Sequence, residues 1–258
     1  MTAWASTTVV LTGGAGHLGS VVARRLAKLG ANVMAVDRDA DGLAALGRSG
    51  LTTFAGDVSV PETARAAVRE CVARWGGLDV VVNCAGIDLP SAQDALGTSA
   101  EDWRTTFGVN LDSILWFAHA GIPEMRARGA GSIVSVASSS GLAPSARNAA
   151  YSVSKAAVIS LTRSLAVDYA ADRIRVNCVC PSLLPLPMAD LGRTLDEAAL
   201  RTREEKGQAA TPGGRLPGYD DVAAAIEFLA GPGAAGITGA TLTVDRGFSA
   251  AQRVRYIE

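Results

Sequence analysis

Short runs of aliphatic and β-branched residues alternate along the chain with longer stretches in which apolar positions recur every third or fourth residue. The short runs at 7–12, 32–37, 51–55, 78–83, 131–137, 174–180 and 240–244 predict strands. Directly after the first, Leu18, Val21, Val22, Leu26 and Leu29 fall on one helical face while Ser20, Arg24 and Lys28 lie elsewhere, and Gly30 is placed to end the helix. Further helices are predicted at about 61–75, 101–128, 150–170 and 220–230. Strands and helices in strict alternation imply parallel strands joined by crossover helices, an α/β architecture of about seven strands with helices on both faces. No internal repeat interrupts it, and 258 residues suit one domain, spanning 1–258.

Residues 181–218 break the rhythm. Pro181, Pro185, Pro187, Pro212 and Pro217 are too dense for regular strands or one long helix. Within the insert, Thr194-Leu195-Asp196-Glu197 reads as a capping box opening a polar helix to about Lys206. A long loop carrying its own helix in a compact domain is read as a substrate loop or lid.

Composition narrows the function. Hydrophobic residues at 48% and charged residues at 19% describe an ordinary globular chain. Lys and Arg total 24 against 25 Asp and Glu, so there is no basic excess to meet a nucleic-acid backbone, and no such partner is expected. No run reaches the roughly 18–20 apolar residues of a membrane span, and residues 1–8 lack the character of a secretory signal, so a cytoplasmic protein is expected. Cys71, Cys84, Cys178 and Cys180 share no metal-ligand spacing and only His17 and His119 accompany them; no metal site is expected.

Candidate chemistry lies at two places. Thr12-Gly13-Gly14-Ala15-Gly16-His17-Leu18-Gly19 joins the first strand to the first helix, where a glycine turn admits a pyrophosphate to the helix's positive end. Eighteen residues beyond Gly19, the second strand ends in Asp37, placed to accept hydrogen bonds from ribose hydroxyls and to repel a 2′-phosphate. Arg38 alongside would attract one, yet the pattern favours NAD over NADP. Farther on, Tyr151-Ser152-Val153-Ser154-Lys155 sets a phenol and an ammonium at i and i+4 on one helix face, an arrangement in which the cation stabilises a phenolate.

Taken in order along nearly the whole chain, these motifs resemble the short-chain dehydrogenase/reductase family, in its main branch of about 250 residues. The resemblance implies a single NAD(P)-binding, Rossmann-type doubly wound domain. It carries over Ser138, thirteen residues before Tyr151, as the catalytic serine, and Asn110 as a fourth catalytic position beside Tyr151 and Lys155. It assigns the cofactor to Gly13, Gly16, His17, Leu18, Gly19, Asp37 and Arg38, to Asp57-Val58 near the adenine, and to Asn83, Ala85 and Gly86 after the fourth strand. Tyr151, Lys155, Pro181 and Leu184 complete that set. The pattern is departed from at His17, where the main branch has glycine, at Cys84, at Ser182, at Leu186 in place of a threonine, and at Arg246. Homo-oligomers, dimers or tetramers, are a further implication of the family.

The expected reaction is hydride transfer between NAD(H) and a secondary alcohol or ketone, with Tyr151 as general acid and base, Ser138 bonding the substrate oxygen, and Lys155 holding the nicotinamide ribose. Expected pocket walls are Asp88, Leu89, Pro90 and Gln93, then Ser140, Leu142, Pro144 and Arg147, then Leu183 to Met188, with Ser138 and Tyr151 at the reacting end. Alternatives are an NADP-dependent carbonyl reductase, a nucleotide-binding regulatory protein of weak turnover, and sugar-nucleotide epimerase or dehydratase chemistry, for which the chain is short.

Overall fold

The computed structural model describes residues 4–89, 95–185 and 197–251. Seven strands, β1 (Thr8–Thr12), β2 (Asn32–Asp37), β3 (Thr52–Ala55), β4 (Val80–Asn83), β5 (Gly131–Val136), β6 (Ile174–Pro181) and β7 (Thr241–Val244), form one sheet in the order β3-β2-β1-β4-β5-β6-β7. Every neighbouring pair is parallel; Val9 lies opposite both Val33 and Val80, and Val136 opposite Val179. All seven sit where the hydrophobic runs predicted them, within two residues at either end.

The sheet is covered on both faces because its strands alternate sides. Val9 and Leu11, Val80 and Val82, and Val134 and Val136 pack with α1 (His17–Lys28) and α8 (Tyr219–Ala230) through Val22, Leu26, Val222 and Ile226. Val10, Val81 and Ile133 point the other way, against α3 (Pro61–Trp75), α5 (Ser113–Arg128) and α6 (Ala149–Asp168), through Val68, Phe117, Met125 and Leu165. Among the described residues no helix is long and apolar enough to cross a membrane.

Two elements differ from the sequence pattern. A short helix, α2 (Ala40–Gly47), follows β2; its ADGLAALG composition carries too few strong apolar marks to register, but Asp39 caps it by accepting a hydrogen bond from Gly42 N at 3.0 Å. The single helix expected over 101–128 is two: α4 (Ala100–Phe107) and α5, separated by a π-helical turn at Gly108–Asp112. In the insert, α7 (Glu197–Ala210) runs four residues past the expected end at Lys206; Thr194 to Asp196 of the capping box lie outside the described residues.

Candidate active site

Strand order reverses between β1 and β4, so the loops after these strands part and open a crevice at the carboxyl ends of the sheet. A cavity of about 790 Å³ occupies it, running from the turn after β1 to the start of α6.

Backbone proximity dictates the glycines at one end. Gly13 has a left-handed φ of +73°, and a Cβ there would lie 2.7 Å from Ala85 N, while a Cβ at Gly19 would meet Gly13 O at 2.0 Å. Gly16 caps α1, and His17 is its first residue, with its ring stacked on Tyr219 of α8 at 5.9 Å. Asp37 stiffens this turn, accepting from Ala15 N at 3.0 Å and Asp39 N at 3.1 Å. With one bond on each carboxylate oxygen, lone pairs remain for a ribose diol. Among the described residues, Asp37, Asp39 and Asp57 line this end against the one guanidinium of Arg38. A narrow glycine cradle, a helix N-terminus and a carboxylate beyond it fit a nicotinamide dinucleotide.

The other end gathers the proton-handling groups. Ser138 follows β5 in extended conformation; its hydroxyl accepts from Ser140 N at 3.1 Å and is hydrogen-bonded to the Tyr151 phenol. Lys155, one turn along α6, is 2% exposed and donates from Nζ to Val136 O at 2.8 Å, with Nζ 5.7 Å from the Tyr151 ring centre. Asn110 is held in the π-turn and fully buried. Its Oδ1 accepts from Ile87 N at 2.8 Å, and its Nδ2 donates to Ile87 O at 2.9 Å and to Ser154 Oγ at 3.0 Å. It therefore joins the loop after β4 to α6.

Burial dominates the electrostatics here. It pushes the Tyr151 phenol up to about 12 despite the bond from Ser138; Asp88 and Cys180 push the same way, and Arg203 opposes them. Burial also pulls Lys155 down to about 8, although Cys180, Cys84 and Asp88 support its charge. The serine bond and the Arg203 guanidinium work in the lowering direction.

Most of the residues expected from sequence converge on the cavity: Gly13, Gly16, His17, Leu18, Gly19, Asp37, Arg38, Asp57, Val58, Ala85, Gly86, Asp88, Ser138, Ser140, Pro144, Tyr151, Lys155, Pro181, Leu183 and Leu184 all line it. Four do not. Asn83 is buried in β4, where its Nδ2 donates to Ser135 Oγ at 3.1 Å, so it braces the sheet. Asn110 acts behind the wall, through Ile87 and Ser154. Leu142 is 44% exposed on the surface. Arg147 has a left-handed φ of +59° on an exposed turn, which sets its side chain apart from the wall that Ala146 and Asn148 form. Gln93, Pro90, Leu186, Pro187 and Met188 lie outside the described residues.

Sequence reasoning missed several lining residues, among them Asp39, Asn148, Phe248, Tyr219 and Arg203. The last had one available signal. Gly207 in the middle of a polar helix marks a close approach, and Arg203 sits one turn before it on the same face.

A family profile described as Enoyl-(Acyl carrier protein) reductase matches residues 14–249. The chain is 38% identical over 247 residues to 4-formylbenzenesulfonate dehydrogenase of Comamonas testosteroni, covering 92% of this chain and 96% of that one. It is 37% identical over 254 residues to cis-4-hydroxycyclohexanecarboxylate dehydrogenase of Sinomonas cyclohexanicum, covering 96% and 98%. The crystal structure of 3-ketoacyl-(acyl-carrier-protein) reductase from Brucella melitensis complexed with NADH superposes with a TM-score of 0.85 at 31% identity, over 95% of this chain and 99% of that one.

Proposed function

The chain belongs to the short-chain dehydrogenase/reductase family, and from that membership we propose that it interconverts a secondary alcohol and a ketone with NAD(H), Tyr151 serving as general acid and base. As a member it is a nicotinamide-dependent oxidoreductase. The observation that carries the finer reading is the continuity of one cavity from the glycine cradle to the bonded pair Ser138 and Tyr151.

The nicotinamide, when bound, supplies the hydride acceptor or donor. The chain's own groups manage the proton and the substrate oxygen. In oxidation the Tyr151 oxygen takes the hydroxyl proton; in reduction its O–H gives one to the oxygen that gathers charge. Ser138 bonds that same oxygen and fixes its distance from the phenol. Lys155 gives one N–H to Val136 O, which leaves two donors for a ribose diol. Three carboxylates against one guanidinium at the adenosine end support NAD over NADP, since a 2′-phosphate adds about two negative charges where the net charge is already negative. The relatives' names pair a formyl or hydroxyl group with a sulfonate or carboxylate, which supports a compact substrate with one reacting oxygen. We further place the enzyme in the cytoplasm as a dimer or tetramer, with residues 181–218 covering the substrate.

The test is fluorescence titration with NADH and NADPH, followed by reduction of a ketone panel. The reading predicts saturable NADH binding at least tenfold tighter than NADPH, and NADH oxidation that requires ketone. Tight NADH binding with no turnover across the panel would leave only a nucleotide-binding protein.

A further inference from the structure

From the placement of Arg203 on α7 we propose that the substrate carries an anionic group, a carboxylate or sulfonate, and that this guanidinium binds it. The inference takes from the proposed reaction only that the reacting carbon lies against Ser138 and Tyr151.

Three observations converge. The first is position: Arg203 of α7 lines the same cavity as Ser138 and Tyr151. The second is how that position is fixed. Arg203, Gly207 and Thr211 follow one another at four-residue spacing and share a face. A Cβ at Gly207 would lie 2.5 Å from Leu183 Cδ2, so the helix rests directly on the loop after β6. Thr211 is 4% exposed and its hydroxyl donates to Gly207 O at 2.8 Å. The face is docked, and the arginine one turn before the contact is carried inward while Arg201 and Glu205 stay exposed.

The third is charge. Among the described residues, the charged groups at this end of the cavity are Lys155, Asp88 and Arg203. Lys155 is bonded to Val136 O, and Asp88 accepts from Asn148 Nδ2 at 3.4 Å. Among the described residues no carboxylate pairs with Arg203, yet its field reaches the Tyr151 oxygen. An arginine half-buried in a substrate cavity without a partner is supplied for a planar oxyanion, which its fork binds with two parallel hydrogen bonds. Asp88 repels an anion from the reacting end and so orients the substrate, with its neutral oxygen at Tyr151 and its charge toward α7.

The test uses ketones of one shape, 4-acetylbenzoate and 4-acetylbenzamide, with the wild type, Arg203→Met and Arg203→Lys. We expect wild-type kcat/KM to favour the benzoate at least tenfold. Arg203→Met should collapse that ratio tenfold or more, chiefly through KM, and Arg203→Lys, which keeps the charge but not the fork, should fall between the two. No preference in the wild type, or equal losses on both ketones in Arg203→Met, overturns the inference. So does a tenfold loss of NADH affinity in Arg203→Met, which would give the charge to the cofactor. Titration of the NADH complex with 4-ethylbenzoate and 4-ethylbenzamide separates the two readings. An Arg203-dependent preference for the benzoate with no turnover of either ketone upholds this inference and defeats the redox one; reduction of the benzamide with no such preference does the reverse.

Discussion

Asn110 grips Ile87 by both of its backbone groups, accepting from N at 2.8 Å and donating to O at 2.9 Å, as a neighbouring strand would. The loop after β4 leaves the sheet at Asn83, so Ile87 and Asp88 have lost their ladder partners just where they form the cavity wall. The π-turn puts a side-chain amide where backbone pairing has ended. Asn110→Ala removes three hydrogen bonds and orphans two buried backbone groups, and we expect a loss of about 2–3 kcal/mol in urea unfolding. Activity should fall through misplacement of Ile87 and Asp88, visible as a larger KM for ketone with NADH affinity held within threefold.

Tyr151→Phe deletes only the oxygen that exchanges the proton. We expect kcat to fall by roughly 10²–10⁴ with the NADH dissociation constant nearly unchanged. Turnover within threefold of wild type would remove Tyr151 from the chemistry.

The pH dependence of oxidation should respond to the neighbours of that oxygen in opposite senses. Asp88 holds the phenol pKa up and the Ser138 bond holds it down. Oxidation needs the phenolate, so its rate climbs with pH. Asp88→Asn should move the climb to lower pH and Ser138→Ala to higher pH, read from kcat/KM profiles for the alcohol. Movement of both in one direction would contradict the electrostatic assignment.

Lys155 ties stability to pH. Its ordinary value of 10.5 is reduced by burial to about 8 in the folded chain. Below about 8 both states hold the proton and the buried charge is a constant burden. Between about 8 and 10.5 the unfolded state binds more protons, so this residue's contribution makes stability rise with pH. Tyr151 works in reverse from its ordinary 10.0 upward, because its folded pKa is raised to about 12. Urea midpoints compared between wild type and Lys155→Met should therefore show a rise from pH 8 to pH 10 in the wild type that the variant lacks. Parallel curves would place the ammonium in a better-solvated site.

Strands were legible because both faces of a parallel sheet are buried, so each one reads as an unbroken aliphatic run such as Val80-Val81-Val82. The glycine turn, Asp37, Ser138, Tyr151 and Lys155 were legible because each occupies a fixed distance from such a strand. The π-turn was not, since its five residues, GVNLD, continue a helical pattern and the extra residue in the turn is a matter of tertiary hydrogen bonding to Ile87. Arg147 and Arg203 exchange places for a related reason. A sequence shows how near a charge lies to the catalytic residues along the chain. Whether it enters the cavity is set by a left-handed backbone at one and by a helix docked across the fold at the other.

That docking ties two properties of the cleft together. The helix bearing Arg203 meets Leu183 through a residue with no side chain, so it already stands as near the catalytic floor as a helix can. A bulkier residue at 207 lifts it, which widens the cleft and withdraws the cation in the same movement. Mutational paths toward larger substrates in descendants of this sequence then lead away from charged ones, and size and charge tolerance evolve as one trait.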